Sequence, residues 1–151
     1  MKIYFDLCVY NRPFDDQTQP RIMIETIGVI AILSIARAGE IEIINSFVLE
    51  YENSLNQKSE NKIIIDDILR TASRFIPFSN TIIKRAQELE RFGITGIDAL
   101  HVSCAEHAQA KYFVTCDDML IKKAQKIADI RVSVLPLLEF ISRKVFYETG
   151  N

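Results

Sequence analysis

Four short runs of β-branched and aromatic residues alternate with longer segments of helical periodicity, and this alternation limits the possible folds most strongly. The short runs predict strands near residues 2–6, 41–45, 112–115 and 131–135. The longer segments predict helices over residues 21–37, 97–108 and 117–127, and from Pro136 through about Phe146. Strands that alternate with helices indicate a three-layer α/β fold, in which a central parallel sheet of about four strands lies between helices.

The middle of the chain is less regular than either end. Residues 54–62 are mostly polar and predict a surface loop, whereas residues 63–75 suit either a helix or a strand. Ser79 or Asn80 can cap a further helix, which would continue through Arg91.

Composition and charge exclude several classes of protein. Apolar residues make up 48% of the chain and the net charge is −2, which excludes a mainly disordered protein. The 18 basic and 20 acidic residues lack the basic excess of a protein that coats DNA. No repeat, linker or low-complexity tract divides the 151 residues, so the sequence predicts one domain over residues 1–151.

The sequence also predicts a cytoplasmic protein without a membrane segment. The longest uncharged apolar run, residues 27–36, is too short to span a bilayer. Asp6 interrupts the first apolar stretch at the point where a signal peptide would continue. Three cysteines without CxxC spacing favour reduced thiols, and two histidines offer little material for a zinc site.

Four carboxylates occupy positions at which a parallel sheet commonly binds ligands. They stand at or near strand ends and helix starts: Asp6, Glu50, Asp98 and Asp117. Such sheets bind ligands at the carboxyl ends of the strands, near the point where strand order reverses. We therefore expect the four side chains to converge, with the strand before Asp6 at the centre. Their repulsion requires a cation, and oxygen ligands favour Mg²⁺ or Mn²⁺. The alternative is that these acids only cap helices.

Four short motifs, taken in order, resemble those of the PIN domain family. Residues 96–102 are similar to its acidic-Ala-Leu-His helix, and residues 112–117 to its Thr-x-Asp strand end. Residues 3–6 resemble its first-strand aspartate, and residues 46–50 its Ser-x-x-x-Glu segment. The resemblance extends over residues 3–135. It implies a metal-dependent ribonuclease fold whose Mg²⁺ or Mn²⁺ ligands would be Asp6, Glu50, Asp98 and Asp117.

The resemblance also implies supporting side chains around this site. Thr115 resembles the hydroxyl that supports the acidic residues, and Ser46 is a second supporting residue. Asn11 is a third, and it begins a loop over residues 11–16 that resembles one subgroup of the family rather than its commonest toxins.

Three more residues near the expected site have their own interpretations. Asp118 is an alternative to Asp117 as the fourth ligand. Glu25 is an extra ligand, a salt-bridge partner or neither. His101 lies on the apolar stripe of its helix, which predicts a buried, hydrogen-bonded imidazole rather than a catalytic base.

The predicted function is that of an endoribonuclease in which metal-activated water attacks an RNA phosphodiester bond, with one or two ions. The resemblance makes the chain a candidate toxin, whose partner would be an antitoxin. The alternative is a PIN-like module that binds RNA or protein and cleaves poorly. A phosphoacceptor signalling domain is disfavoured because no adjacent acids follow the first strand. An Asp-x-Asp phosphatase is disfavoured because Cys8 occupies the second position.

Apolar residues continue almost all round the predicted helix over residues 21–37. They are Ile22, Met23, Ile24, Ile27, Val29, Ile30, Ile32, Leu33 and Ile35. A helix that is apolar on all sides is expected to be buried on all sides. Because the resemblance also implies a dimer, we expect a homodimer in which a second chain covers this helix. The alternative is that the sheet and residues 75–92 cover it within one chain.

Overall fold

The computed structural model describes residues 1–144, and its centre is a parallel sheet of five strands. The strands are β1 (Lys2–Phe5), β2 (Glu42–Ser46), β3 (Arg74–Ile76), β4 (Tyr112–Thr115) and β5 (Ser133–Pro136). Their order in the sheet is β3-β2-β1-β4-β5, and every neighbouring pair is parallel. This confirms the predicted α/β class and the central position of β1, with one strand more than the four predicted.

Helices cover both faces of the sheet. The helices are α1 (Leu7–Asn11), α2 (Pro20–Arg37), α3 (Phe47–Ser54), α4 (Ser59–Arg70), α5 (Asn80–Glu90), α6 (Gly96–His107), α7 (Asp118–Gln125) and α8 (Leu137–Ser142). On β1, Tyr4 contacts His101 of α6, whereas the next residue, Phe5, contacts Phe140 of α8. Successive strand residues point to opposite faces, so α6 and α8 lie on opposite sides of the sheet.

Three local elements of the structure were not predicted from the sequence. The β3 strand was expected at most as part of a longer element, and it is a three-residue edge strand with two exposed side chains. The α1 helix is a single turn that the sequence periodicity cannot reveal. Residues 59–62, expected in a loop, form the start of α4. The predicted end of the last helix at Phe146 lies outside the described residues.

The α2 helix is only partly covered by its own chain. It packs on α8, where a Cβ at Gly28 would collide with the Ile141 side chain. Its outer side carries a stripe of exposed apolar residues, namely Met23, Ile24, Ile27 and Ile30. The alternative, in which residues 75–92 cover this helix within one chain, is therefore not what the structure contains: α8, which follows β5, packs on α2 instead. Within residues 1–144, no helix combines the length and the apolar character needed to cross a membrane.

Candidate active site

An acidic crevice lies at the carboxyl ends of β1 and β4, the neighbouring strands at which the sheet order reverses. Its volume is about 400 Å³. Its polar lining comes from Asp6, Asn11, Glu52, Asn56, Asp98 and Asp117. No lysine or arginine lines the crevice within the described part of the chain. The position is where open parallel sheets bind ligands, and the lining leaves the carboxylates without a cationic side chain.

Asp6 follows β1 and is held by two hydrogen bonds. Its Oδ1 accepts from the backbone N–H of Leu7 at 2.8 Å, so the carboxylate caps α1. Its Oδ2 accepts from Thr115 Oγ1 at 2.8 Å. The same Thr115 oxygen accepts from the backbone N–H of Asp117 at 3.0 Å. Thr115 thereby links the ends of β1 and β4 and fixes the spacing between Asp6 and Asp117.

Asp117 shows that a helix cap and a crevice residue are compatible roles. Its Oδ1 accepts from the backbone N–H groups of Met119 and Leu120 at 2.9 and 3.2 Å, which caps α7. Its side chain also lines the crevice. Asp6 and Asp117 therefore each cap a helix and also line the crevice, so capping does not remove either of them from it.

Asp98 differs from these two because it caps nothing. It is the third residue of α6, and no hydrogen bond reaches its carboxyl group from residues 1–144. Burial first, and then the charges of Asp6 and Asp117, raise the pKa of Asp98 to about 6. His101 offsets only part of this increase, so the ionised form of Asp98 is incompletely compensated by the protein. An oxygen-rich crevice with an incompletely compensated carboxylate fits a hard divalent cation such as Mg²⁺ or Mn²⁺.

The structure brings Glu52 to the crevice in place of the predicted Glu50. Glu50 is exposed, and its Oε1 accepts from Asn45 Nδ2 at 3.1 Å outside the crevice. Two residues rotate by about 200° on a helix, so Glu50 and Glu52 point to nearly opposite sides of α3. Val48 and Leu49 are buried, and Glu52 lies on their side of the helix. This apolar pair was the signal that could have identified Glu52.

His101 completes a compact group with two of the acids. One ligand atom from each of Asp6, Glu52 and His101 lies within 4.8 Å of the other two. His101 Nε2 is 3.0 Å from Glu52 Oε1 and 3.9 Å from Asp6 Oδ1. His101 Nδ1 is 2.6 Å from the hydroxyl of Tyr4, and the imidazole is fully buried. The prediction of a buried, hydrogen-bonded histidine is confirmed.

The other predicted supporting residues have separate positions. Ser46 caps α3 by accepting from the backbone N–H of Leu49 at 3.1 Å. It lies behind the crevice, where its hydroxyl is 2.6 Å from that of Tyr4. Asn11 lines the crevice itself, and its Oδ1 is 3.5 Å from Asn56 Nδ2. Ser46 thus lies in the interior behind the crevice, whereas Asn11 lies at the surface of the crevice.

Glu25 and Asp118 lie outside the crevice and pair with arginines. Glu25 is 1% exposed, and its Oε1 is 3.1 Å from Arg12 Nε and 3.4 Å from Arg21 Nε. Asp118 accepts two hydrogen bonds from Arg21 at 2.9 and 3.0 Å. Of the three interpretations of Glu25, the structure therefore supports that of a salt-bridge partner.

Comparisons with known proteins give one family and one fold. The family model described as PIN domain matches residues 3–126. A chain in the crystal structure of VapBC2 from Rickettsia felis, bound to a DNA fragment from their promoter, is similar with a TM-score of 0.58 and 21% identity. The match covers 90% of this chain and 98% of that chain, and at this identity it shows the fold. No curated protein matches the sequence.

Proposed function

Because the chain belongs to the PIN domain family, we propose that it is a metal-dependent endoribonuclease that hydrolyses RNA phosphodiester bonds. The observation that carries this proposal is the crevice in which Asp6, Glu52, Asp98 and Asp117 meet without a cationic side chain from residues 1–144. A protein that only bound RNA would favour basic residues at the phosphate-binding surface. An acidic crevice instead suits divalent ions, which can activate water and stabilise charge during phosphodiester hydrolysis.

The four carboxylates would hold Mg²⁺ or Mn²⁺. When bound, such an ion would supply a more acidic water as the nucleophile and would offset negative charge on the phosphate oxygens. Thr115 keeps Asp6 and Asp117 at a fixed spacing through its two hydrogen bonds. Asn11 offers a side-chain amide at the crevice surface, where it could donate to a phosphate oxygen of the RNA. Measuring the cleavage rate as a function of Mg²⁺ or Mn²⁺ concentration distinguishes the two metals and one bound ion from two.

Glu52 and Glu50 provide a matched pair of variants on one helix. We expect Glu52→Gln to lower the rate of metal-dependent RNA cleavage by about 100-fold or more, because it removes a charged ligand. Glu50→Gln should change the rate by less than about twofold, since Glu50 lies outside the crevice. The assay follows a fluorescent single-stranded RNA with Mg²⁺ or Mn²⁺, and with EDTA as the metal-free control.

The same assay tests the proposal against its alternative. Wild-type protein that binds the fluorescent RNA but cleaves it no faster with metal than with EDTA would favour a PIN-like binding module. Equal rates for Glu50→Gln and Glu52→Gln, both below wild type, would contradict the assignment of Glu52 to the crevice chemistry.

A toxin role with an antitoxin partner is part of the proposal. The similar structure contains VapBC2 bound to a promoter fragment, which supports a partner protein for this chain as well. A groove of about 500 Å³ between α2 and α4 offers an antitoxin segment a surface away from the crevice, and its lining combines apolar residues such as Leu33 and Ile68 with Arg37 and Asp67. The free state of all three cysteines is consistent with a cytoplasmic location. The single domain over residues 1–151 also stays a prediction.

We further propose that two copies of the chain associate through the exposed stripe of α2. Ile27 is 62% exposed and Ile30 is 58% exposed, and an apolar stripe of this kind favours a partner surface. Wild-type protein should have a dimer mass by light scattering at micromolar concentration, and Ile27→Glu should have a monomer mass. Met119→Glu, on another exposed apolar residue, should leave the dimer intact. A monomeric wild-type protein would contradict the homodimer and leave the stripe to a different chain.

A further inference from the structure

A continuous chain of buried hydrogen bonds lies behind the acidic crevice and ends on Glu52. It begins at Ser46 Oγ, which is 2.6 Å from the hydroxyl of Tyr4. The Tyr4 hydroxyl is 2.6 Å from His101 Nδ1, and His101 Nε2 is 3.0 Å from Glu52 Oε1. Tyr4, Ser46 and His101 are each 0% exposed. The chain therefore connects the interior between β1 and β2 with one carboxylate of the crevice.

The chemistry of the four groups determines which one donates and which one accepts in each hydrogen bond of this series. An ionised Glu52 only accepts hydrogen bonds, so His101 Nε2 carries a proton and donates it. In neutral imidazole the other nitrogen, Nδ1, is then an acceptor without a proton, and it accepts the hydrogen bond that the Tyr4 hydroxyl donates. The Tyr4 oxygen can accept from Ser46, whose own oxygen accepts from the backbone N–H of Leu49. Every group thus donates toward Glu52, and the His101 tautomer is assigned by its partners.

The free side of Glu52 faces the crevice. Its side chain is 30% exposed, so part of the carboxylate reaches solvent while Oε1 is held by His101. A glutamate on a surface helix has several rotamers, and a fixed donor at one oxygen restricts them. The neighbouring Asp6 Oδ1 is 3.9 Å from the same nitrogen, beyond hydrogen-bond distance. His101 therefore acts on Glu52 rather than on Asp6.

We propose that His101, oriented by Tyr4 and Ser46, is a positioning residue that fixes the Glu52 carboxylate for metal binding. The inference rests on the proposed function, because it assumes that Glu52 is a ligand of the divalent ion. His101 is not itself a ligand, since a metal requires a bare ring nitrogen and both nitrogens of His101 are engaged. Hydrogen-bond partners of metal ligands commonly change metal affinity by about 10–100-fold when they are replaced.

Metal binding without RNA provides the test, because it does not depend on turnover. Free Mn²⁺ is measured by electron paramagnetic resonance at fixed pH for the full chain. We expect His101→Asn to weaken Mn²⁺ binding by about 10–100-fold. His101→Gln keeps an N–H donor near the position of Nε2, so it should recover part of that loss. Thermal melting in EDTA shows whether each variant is folded.

Two phenylalanine variants separate the hydrogen-bond chain from packing. Tyr4→Phe keeps the ring that stacks on Phe113 but removes the donor to His101, and we expect roughly three- to tenfold weaker Mn²⁺ binding. Tyr10→Phe is the matched control, because the buried Tyr10 hydroxyl has no hydrogen-bond partner within residues 1–144. It should bind Mn²⁺ as wild type does. Tyr4→Phe also tests the inference if the His101 variants fail to fold.

A double variant distinguishes this inference from the proposed function. In a Glu52→Gln background, His101→Asn should cause no further loss of Mn²⁺ affinity, because the two residues act through one interaction. A further loss there would identify His101 as a direct ligand and overturn the positioning role. If Glu52→Gln weakens binding while folded His101→Asn and Tyr4→Phe bind like wild type, only this inference fails. If Glu52→Gln itself binds like wild type, the proposed ligand set and this inference both fail.

Discussion

Replacing Asp98 with asparagine is expected to lower metal-dependent RNA cleavage by about 100-fold or more, while stabilising the metal-free protein at neutral pH. Asp98 is the acid whose carboxyl group receives no hydrogen bond from the described residues, so asparagine removes a charge without breaking a cap. Asp6→Asn should also abolish cleavage, but Asp6 accepts from Leu7 and Thr115. A change in the stability of Asp6→Asn would therefore combine the loss of these hydrogen bonds with the relief of repulsion between carboxylates.

The pH dependence of the stability gain follows from the raised pKa of Asp98. That pKa is about 6 in the folded chain, against a reference value of 3.8. At Asp98 the folded state therefore binds more protons than the unfolded state between these values, and the contribution of Asp98 to wild-type stability falls as pH rises through this window. Above pH 6 we expect Asp98→Asn to be more stable than wild type by about 1 kcal/mol. This value is lower than the full pKa difference would give, because solvent partly screens the charge.

Thermal unfolding in EDTA at pH 4 and pH 8 measures this effect. The melting temperatures of wild type and Asp98→Asn should nearly coincide at pH 4, where the Asp98 carboxyl is largely protonated in the folded state. The variant should melt higher at pH 8. A variant that melts lower than wild type at pH 8 would show that the Asp98 carboxylate supports the fold instead of opposing it.

The second large effect concerns a buried ion pair far from the crevice. Glu106→Gln is expected to lower the free energy of unfolding by about 3 kcal/mol, because it removes the buried counter-charge of the Arg85 guanidinium and leaves only the exposed carboxylates of Glu88 and Asp129. Arg85 binds Glu106 through two hydrogen bonds, Nε to Oε1 at 2.7 Å and Nη2 to Oε2 at 3.1 Å. Their side chains are 7% and 2% exposed. The pair joins α5 to α6, and Glu106 also accepts from the backbone N–H of Arg131.

A surface pair offers the matched control for this variant. Glu139 and Arg143 interact at 2.6 Å, with side chains 45% and 44% exposed. Exposed pairs of this spacing contribute about 0.3–0.5 kcal/mol, so Glu139→Gln should cause a small change. Urea unfolding in EDTA measures both variants at equal protein concentration. A loss below about 1 kcal/mol for Glu106→Gln would mean that Asp129 and Glu88, which also contact Arg85, compensate its charge.

The central part of the fold and most of the crevice were predictable because they depend on order along the chain. β-branched runs identify the buried strands, and the carboxyl ends of parallel strands meet at one edge of the sheet. Asp6 and Asp117 follow directly from this rule, and Asp98 follows from the start of a helix that faces the same edge. Each of them lies in the crevice.

Glu52 was not predictable by the same rule, because it depends on rotation about a helix axis. Ser46 caps α3 and thereby sets which residues face inward, and two positions along the helix separate the crevice from the surface. The β3 strand was missed for a different reason. It has three residues, with two of the side chains exposed, so neither length nor alternation distinguishes it from a loop.

The hydrogen bond between Thr115 and Asp6 spans 109 positions of the sequence, which has a consequence for the order of folding. Contacts between distant residues form late, because the chain must first lose the entropy of a long loop. A nascent chain that ends before β4 contains Asp6 and Glu52 but neither Thr115 nor Asp117. The complete acidic crevice therefore arises only after residue 117 has been synthesised, and a slow pairing of β1 with β4 would delay its assembly beyond the formation of the helices.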